Sequence, residues 1–218
     1  MKDNFQDFFS DSILKFESMI KSNQFLFFDT DEFESIIIYY LESGNSSMAN
    51  KAIKMAIDQY PNNTSILLLK VETLIFENKI EEAEKIINIL FEIDKNNSEI
   101  IIQKSRILSK RKKHSDSINL LKKINKDCEF YSDALIMIGK EYLFIDNFEN
   151  AKEKFKEYIK DFQLDYAVLN NLLYCFDALG NTDNTVNYLN DFLELNPYCE
   201  VAWHQLGKQY LKKELYKE

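Results

Sequence analysis

The sequence predicts an all-α protein, a solenoid of antiparallel helix pairs, and three observations carry that expectation. Of 218 residues only 4 are Gly and 2 are Pro. That leaves too few turn-makers for a sandwich or barrel, which reverses about every 8–12 residues. Hydrophobic residues make up 45% and aromatics 14%, ample material for a packed core and unlike a disordered chain. The third observation is a period. Pro61 and Pro197 lie 136 residues apart, as do Gly44 and Gly180, while Gly139 and Gly207 lie 68 apart. All three spacings are multiples of 34, and a fixed period of this size marks stacked supersecondary units.

The first element in chain order spans residues 4–21. Phe5, Phe9, Ile13, Phe16 and Ile20 recur at spacings of three and four, which predicts one amphipathic helix. Phe25-Leu26-Phe27-Phe28 then leads into Asp29, which with Glu32 has the spacing of a capping box. A terminal repeat of a solenoid has an apolar face without a neighbour. Residues 1–29 are therefore read as a capping helix and lead-in; a docking helix for another protein is the alternative.

From Thr30 onward the period runs without insertion, giving repeats 30–63, 64–97, 98–131, 132–165 and 166–199, and a half repeat 200–218. Position 4 reads Phe33, Leu67, Ile101, Leu135, Leu169 and Trp203; position 11 reads Tyr40, Leu74, Leu108, Tyr142, Phe176 and Tyr210. With position 7 these make an apolar stripe on a first helix. Position 20 is small throughout (Ala49, Ala83, Ser117, Ala151, Thr185) and position 24 large and apolar (Ile53, Ile87, Leu121, Phe155, Leu189), the stripe of a second helix. Small residues at 20, and at 8 in Ser105, Gly139 and Gly207, let the paired helices approach. Thr30, Thr64, Ser98 and Ser132 are expected to cap the first helices. Gly44, Asn78, Asp146 and Gly180 are expected to turn the chain at position 15, and Pro61 and Pro197 to stop second helices.

Trp203-x-x-Leu206-Gly207-x-x-Tyr210 resembles the signature of the tetratricopeptide repeat (TPR) family, as does Leu135-x-x-Ile138-Gly139-x-x-Tyr142 followed by Ala151-x-x-x-Phe155. The resemblance covers residues 30–218. It departs at Lys70 and Lys104 (position 7), at Leu173 (position 8), and at Lys95, Glu129 and Gln163, where the family carries proline. The chain as a whole is similar to long cytoplasmic TPR proteins of the Bacteroidetes type. The resemblance implies a right-handed superhelix whose concave groove is lined by positions 2, 5, 9, 12 and 13 of the first helices. Carried over, Arg106, Ile136, Lys140, Phe144, Asn170, Tyr174, His204 and Lys208 are the candidate peptide-binding residues, basic towards the C-terminal repeats where the N-terminal ones are acidic. An acidic protein segment is the expected ligand. The family's carboxylate clamp, Lys at position 5 with Asn at position 9, occurs in no repeat here.

Chemistry beyond binding finds little footing. The only two histidines, His114 and His204, are 90 residues apart and lack a second ligand at i+3 or i+4. Both are read as solvated or groove-lining, and no catalytic, metal or cofactor residues are assigned; no glycine-rich phosphate loop exists. A formal charge of −9 and a pI near 4.9 oppose binding to nucleic acid. Lys110-Arg111-Lys112-Lys113 falls on a helix end and turn, where cations complement the dipole. Three unpaired cysteines predict free thiols and a cytoplasmic location, and no apolar run is long enough for a membrane span. A non-enzymatic scaffold is thus expected. The alternative is an assembly module: Leu206, Tyr210, Leu211, Leu215 and Tyr216 leave the last helix apolar on both sides. That predicts self-association through this helix or membership of a longer array.

Overall fold

A computed structural model describes residues 2–22, 25–162, 164–180 and 182–212, with side chains from residue 11 onward. Among these, every regular element is an α-helix: α1 Lys2–Ser22, α2 Thr30–Glu42, α3 Ser46–Gln59, α4 Thr64–Phe76, α5 Ile80–Ile93, α6 Ser98–Lys110, α7 His114–Leu121, α8 Tyr131–Phe144, α9 Phe148–Asp161, α10 Tyr166–Leu179, α11 Thr182–Leu195 and α12 Glu200–Lys212. Phe5, Phe9, Gln163, Leu215 and Tyr216 from the sequence reading lie outside the residues whose side chains are described. The chain divides into two compact units between Lys110 and Arg111.

In the first unit α2 packs on α3 and α4, α4 on α5 and α6, and α1 against α2. Phenylalanines near the N-terminus form one cluster of its core. Phe16, Phe28 and Phe33 are fully buried. Phe28 meets Phe16 edge-on at 5.9 Å and Phe33 at 5.3 Å between ring centroids. The lead-in to α2 is pinned by the end of α3: Gln59 accepts from the Phe28 amide at 3.3 Å, and the Tyr60 hydroxyl donates to the Phe28 carbonyl at 3.0 Å. In the second unit α8 packs on α7 and α9, α10 on α9 and α11, and α11 on α12.

The period is written in the backbone. Gly44, Asn78, Lys112, Asp146 and Gly180 all adopt positive φ, between 55° and 72°, at repeat position 15. Asn45 donates to the Tyr40 carbonyl and Gly44 to Leu41, and the same pair of bonds recurs at Lys79/Asn78 and Asn147/Asp146. These are the two bonds of a Schellman turn, which satisfies the carbonyls a helix end leaves open. Where this turn is not glycine, Asn and Asp tolerate the left-handed conformation better than other residues; Lys112 adopts it without that help.

The caps differ from the sequence expectation by one residue. Thr30, Thr64 and Ser98 are the first helical residues, and the capping side chains are Asp29, Asn63 and Asn97, which accept from Glu32, Ile66 and Ile100 amides at 2.7, 3.0 and 3.1 Å. Asp165 does the same for α10. The preceding Asx oxygen reaches the N3 amide, so the hydroxyl residue is drawn into the first turn. Ser132 caps nothing, because α8 begins at Tyr131 behind Phe130 with no side-chain cap. The expected Asp29–Glu32 box is present in full, with Asp29 N–H donating to Glu32 at 2.9 Å.

The second helix of the third repeat is also shorter than its counterparts. α7 has 8 residues against 14 in α3, α5, α9 and α11. After Leu121 the sequence turns polar, Lys122-Lys123, then Asn125-Lys126-Asp127. It continues as a series of turns in which only Ile124 is buried.

Candidate functional site

The small column at position 20 sets the spacing of the site's scaffold. Ala49, Ala83, Ser117, Ala151 and Thr185 are all buried. At Gly139 a Cβ would stand 2.4 Å from Phe155 Cε1, so the ring of α9 lies directly on the α8 backbone. The opposite face of the first helices stays open, and it carries the candidate residues. In the second unit Lys140 and Phe144 on α8, Asn170 and Tyr174 on α10, and His204 and Lys208 on α12 are all exposed, and Ile136 is half-buried against the core.

The structure brings three of them together. A recess of about 460 Å³ lies between α10 and α12, lined by Asn170, Leu173, Tyr174 and Asp177 on one side and Glu200, Val201, His204 and Gln205 on the other. The Tyr174 ring meets Phe148 edge-on at 5.9 Å and remains exposed. The resemblance points to Asn170, Tyr174 and His204, and the structure adds Asp177 to them. In the structure Asp177 organises the floor. Its carboxylate accepts from Gln205 at 3.2 Å, Gln209 at 2.8 Å and Lys212 at 2.7 Å, with Lys208 Nζ at 3.9 Å. Burial pushes its pKa upward, but the hydrogen bonds from Lys212, Gln209 and Gln205 outweigh this and hold it below the ordinary carboxylate value.

The charge pattern differs from the expected run of free cations. Arg106 belongs to the first unit, where its guanidinium donates to Glu72 at 2.8 Å; both occupy position 9, one repeat apart. Lys208 shares Asp177 with Lys212. Lys140 alone of the three position-9 cations has no ion-pair partner among the described residues. Lys104, a cation at the apolar position 7, is accommodated by lying over the Phe91 ring at 3.9 Å with its head on Asn88 at 3.0 Å.

Of the two sequence readings for His114, solvated or groove-lining, the structure does not favour the first. The His114 Nδ1 lies 2.6 Å from Glu141 Oε2, and its ring stacks on exposed Phe144 at 5.1 Å. The Glu141 side chain is 4% exposed. A signal for this pair exists: Glu141 falls at position 10, where Thr73, Ile107, Cys175 and Gln209 are buried and only Tyr39, in the first repeat, is exposed. A carboxylate in a buried column requires a partner.

No family model matches the sequence, and no curated protein matches it. Among solved structures, a tetratricopeptide repeat protein from Parabacteroides merdae is similar over 83% of this chain and 72% of its own, with TM-score 0.59 and 15% identity. A thermophilic protein of the same kind from Thermus thermophilus is similar over 83% and 98%, with TM-score 0.61 and 12% identity. A chain of the APC/C hetero-tetramer Cut9–Hcn1 is similar over 95% of this chain but 40% of its own, with TM-score 0.62 and 17% identity. At such identities the likeness is one of fold.

Proposed function

We propose that this chain, which has the fold of tetratricopeptide-repeat proteins, is a non-enzymatic scaffold that holds a protein segment against the first-helix face of its second unit. The observation that carries this reading is the recess between α10 and α12, where Asn170, Tyr174 and His204 stand exposed around one concavity. An extended segment needs partners for its backbone, and the Asn170 amide offers both a donor and an acceptor. Tyr174 supplies rigid apolar area with a polar tip at small entropic cost. The helices are already formed, so the scaffold's side of the interface needs little ordering. Lys140 and Lys208 favour acidic side chains on the segment, and Ile136 and Phe144 its apolar ones. Protein partners agree with a similar structure, Cut9–Hcn1, being an assembly of two proteins.

The test is site-specific photo-crosslinking from Tyr174, with exposed Lys160 on α9 as the control position. The reading expects one acidic segment captured from 174 and not from 160. Lys140→Glu, and added salt, should then weaken that segment's binding a few-fold, since an exposed pair contributes about 0–1 kcal/mol. Capture at 160 alone, or an affinity indifferent to both charge and salt, refutes it.

A further inference from the structure

We propose that Lys112 and Lys113, in the turn before α7, hold a pair of adjacent carboxylates in the segment that the first-helix face of the second unit binds. The inference rests on the reading of that face as a segment-binding surface and names what the ligand meets at its α8 end.

The first observation is charge. The turn 111–113 reads Arg-Lys-Lys, whereas the equivalent turns 43–45, 77–79, 145–147 and 179–181 carry no net positive charge. The one lysine among them, Lys79, is neutralised by Glu77 at 2.7 Å. Lys112 and Lys113 are exposed and have no ion-pair partner among the described residues.

The second observation is what the turn forgoes. In α3 and α9 the residue before the helix is Asn45 or Asn147, whose side chain caps it. Lys113 holds that place before α7 and caps nothing. Lys112 takes a φ of 60°, where Gly, Asn or Asp stands in the other repeats. Two exposed charges thus replace a cap and a residue suited to the left-handed conformation.

The third observation is position. His114, the next residue, stacks on Phe144 at 5.1 Å and is tied to the buried Glu141. One repeat on, Phe148 meets Tyr174 at 5.9 Å. Phe144 and Tyr174 are exposed aromatics of the binding face, and each is backed by position 17, the first residue of a second helix. The turn that precedes position 17 therefore arrives at the edge of that face.

Lys140 and Phe144 lie four residues apart on α8, a rise of about 6 Å, which about two residues of extended chain span. A matching segment carries an acid at Lys140, an apolar residue two further on over Phe144, and adjacent acids beyond it at the turn. A protein segment fits better than a nucleic acid, because its apolar side chain uses Phe144 and because a chain of charge −9 repels a long polyanion.

The probes are two fluorescein-labelled peptides, Asp-Ser-Leu-Ser-Glu-Glu and the same peptide ending in Gln-Gln, titrated into the full chain by fluorescence anisotropy. The Glu-Glu peptide should bind about tenfold more tightly, a difference of about 1.4 kcal/mol. Lys112→Asn combined with Lys113→Asn places asparagines where other repeats carry them, so thermal stability should hold or rise while the preference for Glu-Glu disappears. The Gln-Gln peptide should bind both chains alike, and Lys140→Glu should weaken both peptides. Equal binding of the two peptides, or a preference that survives in the double variant, overturns the proposal; the face itself still stands if Lys140→Glu weakens both. If neither peptide binds, the face and the turn fall together. Displacement of the bound peptide by oligouridylate at matched charge would assign the turn to nucleic acid and overturn the acidic segment.

Discussion

Gly139 and Gly207 occupy the same repeat position on equivalent helices, and Gly→Ala should change stability in opposite directions at the two sites. Each substitution gains about 1 kcal/mol of intrinsic helix propensity, because alanine loses less backbone freedom than glycine on entering a helix interior. At Gly207 nothing opposes this gain, since a Cβ meets nothing within 4 Å. At Gly139 the new methyl stands 2.4 to 2.9 Å from three atoms of the Phe155 ring. The ring must retreat by about 1 Å to reach ordinary contact distance, and Phe155 is fully buried, so its neighbours must move with it. Overpacking of this kind costs about 1–3 kcal/mol. The propensity gain is common to both variants, so the difference between them isolates the clash. Urea unfolding followed by circular dichroism should lower the midpoint for Gly139→Ala and hold or raise it for Gly207→Ala. Phe155→Leu should relieve the clash, so that its combination with Gly139→Ala loses less than the sum of the single changes. Equal midpoints for the two alanine variants would falsify the claim that a ring from α9 rests on the α8 backbone.

Asp29→Ala removes the side-chain oxygen of the capping box and should destabilise the first unit by about 1 kcal/mol, read from its unfolding midpoint. Asp177 has a depressed pKa in the folded chain. Its contribution is therefore fully present above the ordinary aspartate value of 3.8 and is lost as pH falls below it. Acid titration of thermal stability should show that loss, and Asp177→Asn should flatten this part of the curve. His114→Ala leaves the buried Glu141 carboxylate without its partner and should cost about 1–3 kcal/mol or more. His114→Ala combined with Glu141→Leu should recover most of that loss, whereas a solvated His114 would make the single change neutral.

The columns of small and apolar residues were legible because the period repeats one packing problem five times. Ala151 and Phe155 carry the same information as Ala49 and Ile53, and each copy reinforces the others. The features that escaped are those that a single repeat decides. Thr30 and Asp29 are both good caps, and only the geometry of the N3 amide chooses between them. α7 ends early through a local polar run that no column average registers. Arg106 stands exposed on α6. Its neutralisation by Glu72 follows from a coincidence of column and neighbour: position 9 holds Glu in one repeat and Arg in the next. His114 and Glu141 are 27 residues apart, so their pairing depends on how one repeat seats against the next and breaks the rule of the column.

That coincidence at position 9 bears on what the site can recognise. Residues in this column lie one repeat apart along the first-helix face, close enough for a side chain to reach its neighbour, as the 2.8 Å contact between Glu72 and Arg106 shows. Opposite charges in adjacent repeats consume one another and leave little field for a ligand. In the second unit the column reads Lys140, Tyr174 and Lys208, so no acid stands beside Lys140 in its own column. Lys208 is drawn towards Asp177 from position 12 of the preceding repeat. Attraction for an acidic segment therefore concentrates at the α8 end of this face. The α10–α12 recess, lined by Glu200 and by an Asp177 already bonded to two amides and a lysine, offers shape and hydrogen bonds rather than positive charge. A segment bound here should be acidic where it passes Lys140 and polar or aromatic where it enters the recess. Exchanging those two halves of a bound peptide should weaken it more than reversing any single charge, because the exchange spoils both matches at once.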